Sequence, residues 1–174
     1  MNVAILVLRL VVGGLFVGHG AQKLFAWFGG HGPRATASFF ESAGLVPALP
    51  LVIVAGSAEL VGGLLLAAGL LTPLAALLIA AVMSAATVAV HWRHGLWNAN
   101  GGFELPLVMT ACAFAIAALG PGTIALDEAL GIDWSGLWWA VAAVLAGALG
   151  GLAATALGRF WQRTRSRQPL AHAA

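Results

Sequence analysis

The chain has 174 residues, 61% hydrophobic and only 8% charged, where a soluble domain carries about 25% charge. Its length suits one domain, and a mean hydropathy of +0.96 with apolar runs of roughly 17 residues or more excludes a soluble enzyme and a disordered tail protein. The net charge of +2 does not argue for nucleic acid. Four of the eight Lys and Arg residues (Arg159, Arg163, Arg165, Arg167) follow the last apolar run, where they read as an anchor against anionic headgroups.

About 20 apolar residues in a helix cross a hydrocarbon core of about 30 Å. The pattern predicts an all-α membrane bundle with spans near residues 3–24, 47–71, 73–91, 104–120 and 136–158. The first run has no basic residue ahead of it, is interrupted by Arg9 and lacks an Ala-x-Ala site, so it is expected to be a retained helix and not a signal peptide. Between spans one and two, Ala35 to Ala43 with Phe39, Phe40 and Glu41, closed by Gly44, predicts a short amphipathic helix at the membrane surface. Thr72 and Pro73 make the next connection tight, with Pro73 suited to the first helical position, so spans two and three should form an antiparallel hairpin. Gly120, Pro121 and Gly122 close the fourth span. The tail from Gln162 is expected to be disordered.

Five spans put the termini on opposite sides. With the C-terminus in the cytoplasm, Lys23, Arg34, Arg93 and the four tail arginines all fall inside, while the outer loop 121–135 has no basic residue and carries Asp127, Glu128 and Asp133. The seven tryptophans lie near span ends, as an aromatic belt requires. These patterns predict a multi-pass protein of a bacterial cytoplasmic membrane with its N-terminus outside.

Ionisable groups inside spans are costly and mark either function or a buried pair. Counted by helix rise, Arg9 and Glu59 come to similar depth, about 10 Å below the outer surface, and are expected to form a buried ion pair that fixes helix register; a proton or ligand site is the alternative. Gly56 and Gly63, near the face of Glu59, would let a neighbouring helix approach closely. Gly14-x-x-x-Gly18 and Gly147-x-x-x-Gly151 are further candidate packing motifs.

A second polar cluster is expected near the inner face. His19 and Lys23 are one turn apart, Ser84, Thr87 and His91 form a stripe at helical spacing, and Asn98 to Glu104 adds amides and a carboxylate. The inferred pocket is His19, Lys23, His91, Asn100 and Glu104, suited to hydrogen bonding the carbonyls of a quinone and moving its protons. Snorkelling to headgroups is the alternative for these residues. No HExxH or ExxH spacing supports a metal site. His94 is a further candidate for snorkelling, His31 and His172 read as incidental, and Cys112 as a packed apolar residue. No haem CxxCH, iron–sulfur cysteine set or Rossmann glycine pattern occurs in the sequence.

Leu8-Arg9-Leu10, His19-Gly20-Ala21-Gln22-Lys23-Leu24-Phe25, Trp27-Phe28-Gly29-Gly30, Ala58-Glu59-Leu60-Val61-Gly62-Gly63 and Asn100-Gly101-Gly102-Phe103-Glu104 together resemble the DoxX family of bacterial membrane proteins, over about residues 3–127. The resemblance implies a four-helix core over 1–127; the fifth helix with the end of the acidic loop, at 128–160, and the basic tail at 161–174 lie beyond it. Tyr is often found where Phe103 stands here, so its hydroxyl is missing. Some relatives are subunits of a thiosulfate:quinone oxidoreductase, and one is linked to a complex with a sulfurtransferase and a superoxide dismutase. The resemblance therefore implies a membrane subunit of a quinone-linked redox or oxidative-stress complex, working with redox partner proteins in the lipid bilayer, with a homo-oligomer also open. A non-catalytic scaffold recruiting soluble partners, and a small-solute or proton carrier, are the other readings.

Overall fold

The computed structural model describes residues 2–166. Among these there is no strand. The chain runs as α1 (Asn2–Phe25), α2 (Gly32–Ser42), α3 (Ala48–Ala68), α4 (Thr72–Ala86), α5 (Glu104–Leu119), α6 (Leu126–Leu130) and α7 (Leu137–Ser166). A π-helical turn, Thr87–His91, and a 3₁₀ turn, Trp92–His94, carry α4 onward to the connection with α5.

Four of these helices are long and apolar enough to cross a membrane: α1, α3, α4 with its continuation to His94, and α7. The fifth expected span, α5, is apolar but only 16 residues long, about 24 Å by helix rise. The protein is a multi-pass helical membrane bundle, and its large exposed apolar side chains, such as Val7, Leu64 and Leu149, face where lipid would be.

The element ends follow local chemistry. Gly69 closes α3 in the left-handed conformation, φ 65°, with its N–H returned to the last turn, the common glycine stop. Pro73 sits in the first turn of α4, where its missing N–H costs nothing. The amphipathic segment forms α2 as expected and seats Ala37 against Ala48 and Val52 of α3.

Helices α1 and α3 are antiparallel and very close. A Cβ at Gly13 would lie 2.6 Å from the Gly63 carbonyl oxygen, and one at Gly20 would lie 2.7 Å from that of Gly56; only glycine permits this approach. Gly147 and Gly151 of α7 do the same against the Leu77 and Ala81 carbonyls of α4. Gly14 and Gly18 do not pack: nothing lies within 4 Å of either. They are out of phase with Gly13 and Gly20 along the helix and so turn away from α3. The core formed between α1, α3, α4, α5 and α7 centres on Phe16, Leu66, Ile79 and Ile116.

One expected boundary shifts. Helix α7 continues through Gln162 to Ser166, so the first part of the tail expected to be disordered is helical. Its 30 residues span about 45 Å, well beyond a hydrocarbon core, which leaves its last turns free to carry Arg163 and Arg165. Arg167 and His172 lie outside the described residues.

Candidate functional site

The α1–α3 register sets which polar groups meet. Gly13 opposes Gly63 and Gly20 opposes Gly56, so Arg9 comes level with the end of α3 and Glu59 comes level with the stretch between Val17 and Lys23. The expected Arg9–Glu59 pair is therefore not formed. Counting depth from each helix end misjudges the stagger by about two turns.

Arg9 instead serves backbone carbonyls. Its Nε donates to Leu66 O at 3.1 Å, Nη2 to Ala67 O at 2.9 Å, and Nη1 to Ile124 O at 2.9 Å and to Pro121 O. Leu66 and Ala67 belong to the last turn of α3, where carbonyls lack helical partners and carry the negative end of the helix dipole. The residue is 2% exposed, and a Cβ on Gly69 would come within 2.5 Å of its guanidinium carbon. Asp127 lies within electrostatic range of it.

Asp127 is expected in a solvent-facing acidic loop, yet it is buried. Its carboxylate accepts the N–H of Leu71 at 2.8 Å and of Thr72 at 3.3 Å, and its own N–H donates to Gly69 O. It caps α4 from a distant element, because the residue at the N-cap is Leu71, which has no acceptor. That missing local cap is the sequence signal that could have drawn attention to the loop carboxylates.

At the other end of the bundle, Lys23 Nζ lies 2.6 and 2.7 Å from the two carboxylate oxygens of Glu59. The Lys23 side chain is partly exposed and that of Glu59 nearly buried. Both residues line a cavity of about 440 Å³ between α3, α4 and α7. Its lining is rich in small side chains, among them Ala58, Ala81, Ala85, Gly151 and Ala154, and includes Phe39 and Phe40 of α2. His91 lines the same cavity. Its Nδ1 is 2.7 Å from the Gly101 carbonyl; a carbonyl only accepts, so Nδ1 carries the proton and Nε2 of the neutral ring is left as the acceptor.

Of the five residues expected in the pocket, Lys23 and His91 line this one cavity. His19 is exposed on α1, within electrostatic range of Glu59 but not in the cavity wall. Asn100 belongs to the connection between α4 and α5, and Glu104 is the first residue of α5, where its carboxylate accepts the Asn98 N–H at 2.9 Å and holds the turn. Nor do Ser84, Thr87 and His91 share a face. Ser84 and Thr87 line a second, smaller cavity beside α5, because the π-turn intervenes. Glu59 takes the place expected for Glu104. Among the described residues no three His, Cys, Asp or Glu side chains converge as a metal site.

A mostly apolar cavity whose lining includes an ammonium, a carboxylate and an imidazole lies within the helix bundle of a polytopic membrane protein. Residues 4–92 match the model of the DoxX family, and the chain belongs to that family. The matched segment contains Arg9, Lys23, Glu59 and His91 and ends before α5 and α7. A Bacillus subtilis (strain 168) protein named "Putative oxidoreductase CatD" is 31% identical over 126 residues, covering 72% of this chain and 86% of that one. No solved structure matches.

Proposed function

We propose that this protein is the membrane subunit of a quinone-linked redox or oxidative-stress complex and that the cavity bounded by Lys23, Glu59 and His91 holds the quinone. The observation that carries this reading is the cavity itself. Its volume falls in the range of small-molecule sites, about 300–1,000 Å³, its lining is mostly apolar, as an isoprenoid chain requires, and its few polar side chains offer donors to ring carbonyls. A bound quinone supplies two-electron, two-proton chemistry. Lys23 keeps an N–H beyond those engaged by Glu59, since an ammonium has three donors, and directs it at a carbonyl oxygen. His91 Nε2 accepts or returns a proton, while Glu59 holds the ammonium in position. Electrons come from a redox partner protein, the chain having no electron-carrier motif of its own. The name of the Bacillus subtilis relative accords with this reading.

The membrane is a bacterial cytoplasmic membrane, with the Lys23 end of the bundle inside, as the distribution of Lys and Arg indicates. A photoreactive quinone analogue irradiated in native membranes tests the site. Labelled peptides from residues 39–59, 81–91 or 150–155 are expected, with competition by excess unlabelled quinone. Labelling spread over the lipid-facing residues with no competition would overturn the assignment.

A second reading, a scaffold for soluble partners, has one observation in its favour: α7 carries exposed Arg163 and Arg165 on a helix longer than the hydrocarbon core is thick. Partner capture lost on deleting 159–174, and kept in every cavity variant, would support it.

A further inference from the structure

We propose that Arg159, on α7, is a positioning residue for His91: by holding the Val88 carbonyl it maintains the π-turn that swings the imidazole into the Lys23–Glu59 cavity. The inference rests on the site reading above for its consequence, but its geometry stands apart from any ligand. In an uninterrupted α-helix, Ser84, Thr87 and His91 fall on one face, since seven residues make nearly two full turns. The structure separates them. Ser84 and Thr87 line the smaller cavity beside α5, and His91 lines the larger one on the other side of α4.

The separation has a local cause. Residues 87–91 form a π-turn, which takes one extra residue into a turn and rotates the succeeding residues relative to an α-helix; such turns are widened and locally weak, and are frequent at functional sites. Here side chains donate to its carbonyls. Arg159 Nη2 donates to Val88 O at 2.9 Å, and His94 Nδ1 to Val90 O at 3.1 Å. Arg159 is the member of this set that comes from another helix. It is carried in by the α4–α7 contact through Gly147 and Gly151, and its helix also supplies Gly151, Ala154 and Thr155 to the cavity wall. Thus α7, which lies beyond the segment matched by the family model, completes the site and sets the direction of His91. Without the Arg159 bond the turn can revert to regular α-helix, and His91 returns toward the Ser84–Thr87 face and away from Gly101.

The test uses full-length protein in lipid nanodiscs with ¹⁵N-labelled histidine, the His91 resonances being assigned from a His91→Asn variant. Wild type should show His91 in the Nδ1–H tautomer. Arg159→Ala should lose that signature and, in parallel, lower retained ubiquinone about tenfold, the effect of one charge-assisted hydrogen bond. Arg159→Lys, which keeps a cationic donor, should restore much of both. An unchanged His91 signature in Arg159→Ala overturns the proposal; if that variant does not insert, the same comparison is read on Arg159→Gln. Wild type without bound quinone, together with a His91 signature that still answers to Arg159, would refute the quinone site and leave the positioning role standing.

Discussion

Lys23 and Glu59 form a two-pronged ion pair between α1 and α3, with Nζ 2.6 Å from the nearer carboxylate oxygen and the Glu59 side chain 4% exposed. A carboxylate this deeply buried depends on its partner. Lys23→Ala is therefore expected to destabilise the bundle by about 3 kcal/mol, Glu59→Gln by less, and the Lys23→Ala/Glu59→Gln double variant should recover part of the loss. Reversible unfolding in mixed detergent–lipid micelles measures all three. Equal losses in both single variants with simple addition in the double would mean that the two groups are not coupled.

Arg9 joins α1 to the last turn of α3 and to the Pro121–Ile124 loop through four donor contacts. Lysine has three donors on one atom and cannot reproduce the guanidinium fork. Arg9→Lys should lower stability by about 2 kcal/mol and Arg9→Ala by more. Because Arg9 sits at the opposite end from the cavity, Arg9→Lys protein that inserts should retain its quinone, which extraction and quantification would check.

Asp127 and Thr72 give opposite expectations at neighbouring positions. Asp127→Ala strips the acceptors from two N–H groups at the start of α4 and should cost about 2 kcal/mol, with Asp127→Asn intermediate. The buried Thr72 Oγ1 has no hydrogen-bond partner among the described residues, so Thr72→Val, which keeps the shape, should be neutral or stabilising by up to about 1 kcal/mol. Thermal unfolding of the three variants decides it; a destabilised Thr72→Val would mean that the hydroxyl is satisfied by water.

The glycines of α1 divide sharply. Gly13→Ala and Gly20→Ala put a methyl group onto the α3 backbone and should disrupt insertion or assembly, whereas Gly14→Ala and Gly18→Ala, on the same helix but facing open space, should be tolerated. Yield of folded protein from membranes, compared across the four variants, tests the α1–α3 register directly.

Much of this architecture is legible in apolar length alone, since a span must satisfy its own backbone and so declares itself as a helix. The short helix α2 and the Thr72–Pro73 hairpin follow from composition and proline placement in the same way. Stagger is not carried by spacing. Whether Arg9 meets Glu59 depends on how α1 slides along α3, and that is decided by Gly13 and Gly20 against Gly63 and Gly56, while the Gly14–Gly18 pair at the more familiar spacing faces outward. Within the pocket, Lys23 and His91 are readable as polar groups near one end of their spans. Glu59 is misassigned by the same stagger error, and the grouping of His91 with Ser84 and Thr87 fails at a π-turn that no residue pattern announces. Asp127 is missed because a carboxylate in a loop reads as solvated until the uncapped start of α4 is noticed.

Whether the cavity lined by Lys23, Glu59 and His91 holds a quinone is measured most directly as bound quinone. Mass spectrometry quantifies it on protein purified in native lipid patches, comparing wild type with Glu59→Gln and with the cavity-filling Ala85→Trp, both verified as inserted. Near-stoichiometric quinone in wild type and a marked loss in both variants is the expected result. Equal traces in all three, at the level of quinone in the surrounding lipid, would contradict a quinone site in this bundle.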